Sequence, residues 1–161
     1  MTRSLQVSSL TADAFAPFGE VLEVSGPPTK LINAGKCGRW HDRAALDFAD
    51  ARAGISIFRS ECFSLPYDFD LVERHPDGSQ AFIPMSADPF LVIAAPDEGG
   101  RPGRPVAFIT SGAQGINIRR NHWHGVLTPL SGPGLFAVVD RIGTTPNLEE
   151  FRYPEPFRVT A

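Results

Sequence analysis

The sequence predicts an all-β fold, either a sandwich or a barrel, built from many short strands. Glycine and proline number 15 each in a chain of 161 residues, and they divide it into short segments separated by turns. Those segments are rich in β-branched residues, leucine and phenylalanine, which favour strands. Sandwich and barrel fit this pattern equally well, and neither indicates a function by itself.

Length and charge limit the classes of protein that the chain can represent. At this length, residues 1–161 are expected to form one domain with one hydrophobic core. The net charge is −3, from 15 basic and 18 acidic residues, which argues against nucleic acid as the main partner. The two cysteines, Cys37 and Cys62, do not form a zinc or redox motif, and we expect buried or half-buried thiols.

The location of the protein is inferred from what the sequence lacks. No apolar run approaches the roughly 20 residues of a membrane helix, so no membrane partner is expected. The first residues, MTRSLQVSSL, contain no continuous apolar segment of the kind found in a secretory signal. We therefore expect a cytoplasmic protein.

One short helix is predicted near the start of the chain. Thr11 is a candidate N-cap, residues 12–18 carry apolar side chains at helical spacing, and Gly19 would end the helix, which Pro17 would shorten. After the helix, strands are predicted at residues 19–24, 55–58, 90–95, 106–110, 126–127 and 135–140. Turns or loops are predicted at residues 27–28, 76–78 and 96–105, the last of them polar and exposed.

The first segment that indicates chemistry is LVERHPDGSQAFIPM. If it is extended, Glu73 and His75 point to one face and Arg74 points to the other. The Pro-Asp-Gly turn at 76–78 would reverse the chain and bring Gln80 near His75 across a hairpin. A carboxylate, an imidazole and an amide would then converge.

The second such segment is GINIRRNHWHGVLTPL. If it is extended, His122 and His124 share a face and Trp123 points away from them. This spacing can present two imidazoles to one metal ion, although edge strands facing water show it as well. A single histidine is more often a hydrogen-bonded structural residue. Spacing alone therefore indicates a β domain with a candidate histidine and glutamate site.

These segments also carry a resemblance to a known family. ERHPDGSQAFIPM and FITSGAQGINIRRNHWHGVL, with the shorter INAGKCGRWHD and VVDRIG, resemble the ureidoglycolate lyase family, whose older name is ureidoglycolate hydrolase. The resemblance runs in order from residues 15–19 to Asp140 and Arg141. Because this family belongs to the cupins, it implies a cupin-type β-barrel or jelly roll with one or two short helices, usually as a homodimer.

The resemblance also implies an activity and a small-molecule substrate. Members of the family cleave ureidoglycolate to glyoxylate and urea in the breakdown of allantoin and purines. Such a reaction needs a base and an acid for the protons, donors for the developing oxyanion and a group that holds the substrate carboxylate. The resemblance implies catalytic roles for His75, His124 and Glu73. It implies that the substrate is bound by Gln80, at the ureido group or the hydroxyl, and by Arg39 and Arg59, at the carboxylate, with Asn33 and His41 as neighbours.

The resemblance leaves a divalent metal ion open and implies no other cofactor. The metal positions of cupins fall on Glu73, His75, Gln80 and His124. Gln80 departs from the usual cupin pattern, because a neutral amide is a weaker ligand than a carboxylate or an imidazole. His122 is not carried over, since the RNxWH pattern of the family does not require a histidine there.

Two other functions stay open at this point. A hydrolase acting on the same compound would release ammonia and carbon dioxide instead of urea. A non-catalytic cupin would bind a small carboxylate without turnover. Metal-dependent isomerases and dioxygenases of the same fold are disfavoured by the incomplete ligand set.

Overall fold

A computed structural model describes residues 3–161. Met1 and Thr2, the first two residues of the predicted domain and of the segment MTRSLQVSSL, lie outside the described residues. The one α-helix of this described range is α1 (Ala12–Phe15). The strands are β1 (Arg3–Ser9), β2 (Gly19–Leu22), β3 (Lys30–Ile32), β4 (Cys37–Arg39), β5 (Arg52–Arg59), β6 (Tyr67–Arg74), β7 (Gln80–Pro84), β8 (Phe90–Ala95), β9 (Asp97–Glu98), β10 (Arg101–Pro102), β11 (Val106–Ile109), β12 (Gly115–Ile118), β13 (Trp123–His124), β14 (Thr128–Pro129), β15 (Leu135–Ile142) and β16 (Glu149–Thr160).

Six of these strands close a barrel. They are hydrogen-bonded in the order β11, β1, β16, β6, β13 and β8, and β8 pairs back onto β11. Strand β1 runs parallel to both of its neighbours, whereas the other pairs are antiparallel, so the barrel is mixed. This closure confirms the all-β, cupin-like barrel and removes the free edges that an open sheet would have.

A second, five-stranded antiparallel sheet lies beside the barrel. Its order is β2, β12, β7, β15 and β5, and the pairs β3–β4 and β9–β10 form two small separate hairpins. Successive side chains along a strand point to opposite faces of the sheet. On β8, Ala95 therefore packs in one core cluster and its neighbour Ala94 in the other.

The two core clusters have different positions. The cluster of Ala95 fills the barrel and includes Phe157 and Trp123. The cluster of Ala94 lies between the barrel and the five-stranded sheet and includes Phe82. Burying one such aromatic side chain stabilises the fold by about 1.5–3 kcal/mol, so both the barrel and its contact with the sheet are strongly held.

The predicted helix begins where expected but is shorter. The Thr11 side chain accepts a hydrogen bond from the Ala14 amide at 3.2 Å, which confirms the N-cap. The helix ends at Phe15, two residues before Pro17, whose ring is incompatible with a longer helix.

The strand predicted at residues 126–127 is wrong. Those residues connect β13 and β14, both of which pair with β8. The Gly125 amide donates to the Ile93 carbonyl at 2.9 Å, so the chain leaves the sheet only briefly. The predicted loop at 96–105 contains the β9–β10 hairpin.

The expectation of buried cysteines is also wrong. Cys37 and Cys62 are both free and exposed. Cys37 belongs to the β3–β4 hairpin, and Cys62 lies in the connection from β5 to β6, so neither faces a core cluster. Among residues 3–161, no helix is long and apolar enough to cross a bilayer.

Candidate functional site

Strands β6 and β13 bring together the residues of the candidate site. Glu73 on β6 pairs in register with His124 on β13, which also pairs with Ala94 on β8. Ala94 belongs to the core between the barrel and the sheet, so Glu73 and His124 share the face of the barrel that is turned toward the sheet. His75 follows directly after β6.

These three side chains form the candidate triad. The rings of His75 and His124 lie with their centroids 5.2 Å apart, and the Nε2 atom of His75 is 4.0 Å from the Oε1 atom of Glu73. One ligand atom from each of the three residues lies within 4.8 Å of the other two. Residues distant in sequence therefore present two imidazoles and a carboxylate to one small volume.

Backbone carbonyls fix the tautomer of both histidines. The Nδ1 atom of His75 is 2.8 Å from the Asn147 carbonyl oxygen, and that of His124 is 2.9 Å from the Gly125 carbonyl oxygen. A carbonyl only accepts, so each Nδ1 carries the proton and each Nε2 presents a lone pair. Both Nε2 atoms are buried and have no hydrogen-bond partner. The triad is therefore equipped to accept a proton or a metal ion.

Burial shifts the pKa of two residues of the triad. His124 is 1% exposed, and burial, with a smaller contribution from His75, lowers its pKa to about 3 against the opposing effect of the Gly125 carbonyl. Its imidazole is therefore neutral near pH 7. Burial also raises the pKa of the Glu73 carboxyl; His75 opposes this shift and Glu150 adds to it.

Arg74 points away from the triad, as expected from strand alternation. Its guanidinium stacks over the Trp123 ring at 4.3 Å and donates to Asp97 at 2.9 Å and to Glu149 at 2.7 Å. Trp123 donates from its indole nitrogen to the same Asp97 oxygen, also at 2.9 Å. Asp97 thus links β6 and β13, the strands next to the triad, on the face opposite to the triad.

The expected hairpin between His75 and Gln80 is wrong, because β6 and β7 belong to different sheets. Residues 75–79 instead carry the chain from the barrel to the five-stranded sheet. Gln80 is buried there, and its Nε2 atom donates to the Asp140 carboxylate at 3.2 Å. Its Oε1 atom is buried without a partner.

The other predicted substrate-binding residues lie on exposed segments. Asn33, Arg39 and His41 are in or beside the β3–β4 hairpin, and Arg59 is the last residue of β5. Arg39 and His41 line one open groove. In the part of the chain that the structure describes, no hydrogen bond, ion pair or ring contact joins these four residues to the triad.

His122 does not join His124 in a shared pair. It lies in the turn before β13, and its Nδ1 atom is 2.9 Å from the Arg120 carbonyl oxygen. The partner of His124 is instead His75. The strand begins only at Trp123. His122 therefore lies before it, and the two histidines do not share a strand face.

Sequence reasoning missed the residues that support the triad. Asp97, Asn147 and Asp140 each contact a residue of the site or its neighbour. Asp140 lies in the VVDRIG segment of the family resemblance, but no role was predicted for it, and Asp97 and Asn147 lie in segments rich in glycine, proline or polar residues. Only the closure of the barrel and its contact with the sheet bring them to the site.

The chain is similar in sequence to the proteins of one known family. The sequence model of the ureidoglycolate lyase family matches residues 2–160. The ureidoglycolate lyase of Rhodobacter capsulatus is 57% identical over 156 residues, which cover 96% of this chain and 97% of the relative. That of Chelativorans is 50% identical over 98% and 96% of the two chains, and ureidoglycolate lyase 2 of Rhizobium meliloti is 48% identical over 96% of each. This chain therefore belongs to the ureidoglycolate lyase family.

Proposed function

We propose that this protein is a carbon–nitrogen lyase of the amidine-lyase type that cleaves ureidoglycolate to glyoxylate and urea. The family match over residues 2–160 and the names of the relatives support this substrate. The structural observation that carries the proposal is the pair of buried, unpartnered Nε2 atoms beside the Glu73 carboxylate. By the same resemblance, we place the reaction in the breakdown of allantoin and purines.

The reaction is a reversed addition that needs one proton moved between two atoms of the substrate. A base removes the proton from the hydroxyl, the carbon–nitrogen bond breaks, the oxygen becomes the aldehyde of glyoxylate, and the departing urea nitrogen gains a proton. We assign the base to His75, whose side chain is 18% exposed. Such proton transfer contributes roughly 10²–10⁴-fold to a rate.

Glu73 and His124 support this proton transfer in different ways. The Glu73 carboxylate, 4.0 Å from the Nε2 atom of His75, stabilises the imidazolium that forms there. His124 is held neutral by burial, so its Nε2 lone pair is available to take part in the transfer of the hydroxyl proton beside His75. Once protonated, His75 can return the same proton to the departing urea nitrogen.

The donor set also fits a divalent metal ion. Two imidazole lone pairs and a carboxylate are a common ligand set for transition metals, and the backbone carbonyls orient both rings as supporting residues do in metal sites. Glu73, His75 and His124 would hold the ion, whereas Gln80, the fourth metal position of cupins, lies on the other sheet and is left to the substrate. When bound, the ion would act as a Lewis acid on the substrate oxygens. Elemental analysis of the purified active protein distinguishes the metal-free mechanism from the metal-dependent mechanism. An active sample that contains no metal contradicts the metal-dependent mechanism.

For the substrate carboxylate we propose Arg39 and Arg59, with Asn33 and His41 as neighbours. The family resemblance supports this assignment, and Arg39 and His41 line one open groove. Within residues 3–161, neither arginine forms an ion pair, so both guanidinium groups are available for a bidentate carboxylate contact. Replacing each arginine by alanine in turn should raise KM; an unchanged KM removes that residue from the assignment.

We propose that the protein acts as a homodimer and that the second copy covers the outer face of the five-stranded sheet at β5. Ile55 and Ile57 on this end strand are 75% and 61% exposed, and Ile83 is 41% exposed. Ile57 and Ile83 both lie opposite Ala137 and so form one apolar row. An apolar row beside a free strand edge is typical of a protein interface.

We further propose that residues 1–161 form one domain and that the protein works in the cytoplasm. The two free, exposed cysteines support this location, because unpaired thiols persist in reducing compartments.

The nitrogen product tests the proposed function directly. Purified protein is incubated with ureidoglycolate, and urea, ammonia and glyoxylate are measured against the spontaneous decay of the substrate. We expect urea and glyoxylate in equal amounts. Ammonia in place of urea would indicate the hydrolase, and no turnover above spontaneous decay would indicate a protein that only binds a small carboxylate.

A further inference from the structure

Gln80 has an acceptor atom with no partner in the protein. The residue is 7% exposed, and its two polar side-chain atoms differ sharply in their surroundings. The Nε2 atom donates to the Oδ2 atom of Asp140 at 3.2 Å, whereas the Oε1 atom is buried and unpaired. A buried, unpaired carbonyl oxygen costs free energy unless a ligand supplies the missing donor.

Asp140 determines which end of the amide is left free. A carboxylate only accepts hydrogen bonds, so the NH₂ group of Gln80 must be the end that faces it. The contact therefore settles the choice between two amide orientations that are otherwise hard to tell apart. As a result, Oε1 is presented as an acceptor on the other side.

The Gln80 side chain lies on the face of β7 that is turned toward the barrel. Along β7, Gln80 shares a face with Phe82, which packs in the core between the barrel and the sheet together with Ala94. Ala94 is the strand partner of His124. The Gln80 side chain is thus directed from the sheet toward the barrel strand that carries His124.

We propose that Asp140 is a positioning residue that holds the Gln80 carbonyl oxygen in place to accept an N–H of the ureido group. This inference rests on the proposed cleavage of ureidoglycolate. The ureido half of that substrate, and urea after cleavage, carry N–H donors. The glyoxylate half carries no N–H, and the proton of its hydroxyl is the one assigned to His75, so the Gln80 acceptor is left for the ureido half.

Product inhibition provides the test, because urea and glyoxylate probe the two halves separately. In Asp140→Asn, an amide that can donate or accept replaces the carboxylate, and Gln80 loses its fixed orientation. We expect the inhibition constant of urea to rise about 5–10-fold, as for the loss of one hydrogen bond, while that of glyoxylate stays unchanged. The exposed Asp68→Asn is the matched control and should change neither constant.

Two further variants keep the test decisive. Gln80→Met removes the acceptor at nearly constant side-chain volume. It should raise the inhibition constant of urea but not that of glyoxylate, and it provides this test even if Asp140→Asn does not fold. Asp140→Glu keeps a carboxylate and should restore part of the inhibition by urea. An equal rise of both constants, or an unchanged urea constant in folded variants, would overturn the inference alone. Absence of any turnover by the unmodified protein would overturn the proposed function and this inference together.

Discussion

The rings of His75 and His124 lie 5.2 Å apart, centroid to centroid, although one follows β6 and the other ends β13. Each ring is held by a carbonyl at Nδ1, from Asn147 and Gly125 respectively, so both Nε2 atoms are directed at the shared site. Two rings oriented in this way act as one unit, and a change in either ring should affect the same step.

Replacing His124 by asparagine should therefore abolish most of the activity. The asparagine amide can still donate to the Gly125 carbonyl, but no lone pair remains where Nε2 stood. We expect kcat to fall by at least about 100-fold, the range for loss of a group involved in proton transfer. His122→Asn is the control and should keep near-normal kcat, because His122 contacts Arg120 rather than the triad. Near-normal turnover by His124→Asn would remove His124 from the mechanism.

The buried, neutral His124 should also make folding sensitive to acid. Its pKa is about 3 in the folded protein, and about 6.5 in the unfolded chain. Between these values the unfolded state binds a proton that the folded state does not. The contribution of neutral His124 to the free energy of unfolding is therefore fully present above about pH 6.5. It is lost as the pH falls below that value, by up to about 1.4 kcal/mol per pH unit.

Guanidinium denaturation at pH 7.5, 6.0 and 5.0, with a chelator present, measures this effect. His124→Asn should show a shallower decline of the free energy of unfolding between pH 6.5 and 5.0 than the unmodified protein. Parallel declines in the two proteins would show that His124 does not titrate on unfolding in this range.

The sequence predicted the class of the fold and, among its six predicted strands, five that are present (β2, β5, β8, β11 and β15), because residue preference and turn residues are local signals. The sequence pattern did not predict β16, the longest strand. Pro154 and Pro156 interrupt its sequence pattern, and its pairing with β6 shifts register between Arg152 and Phe157. A strand that tolerates prolines through such a shift has no clear local signature.

The candidate site was predictable in part for the same reason. Glu73 and His75 are two residues apart, so strand alternation predicted their common face. The contact of His75 with His124 was indicated only by the family resemblance, since it depends on pairing between β6 and β13. The contact of Gln80 with Asp140 depends on the neighbouring positions of β7 and β15 in the second sheet, which no local pattern specifies.

Asp97 should stabilise both the fold and the site. One of its carboxylate oxygens accepts from Trp123 and from Arg74, and these residues are the sequence neighbours of His124 and of Glu73 and His75. Hydrogen bonds from the Gly100 amide and the Trp123 indole, together with Arg74, lower the pKa of Asp97. Because the Asp97 side chain is 46% exposed, its loss should cost only about 1 kcal/mol of unfolding free energy.

Asp97→Ala tests this role, with Asp97→Asn as its matched control. The alanine variant should lower both the unfolding free energy and kcat/KM. The asparagine variant keeps an acceptor for Trp123 and should lose less of each. Equal losses in the two variants would indicate that charge alone matters, and an unchanged kcat/KM in Asp97→Ala would show that the triad does not depend on this contact.

The proposed dimer predicts that a single charge on β5 separates the subunits. Ile57→Lys places a charged group in the apolar row that Ile57 forms with Ala137 and Ile83, where a second copy would have to bury it at high cost. Light scattering coupled to size-exclusion chromatography should give a dimer for the unmodified protein and a monomer for the variant. Leu31→Lys, at a residue that is 61% exposed on the β3–β4 hairpin, is the control and should remain dimeric. A dimer that persists in Ile57→Lys would place the interface elsewhere on the molecule, whereas a monomeric unmodified protein would contradict the dimer itself.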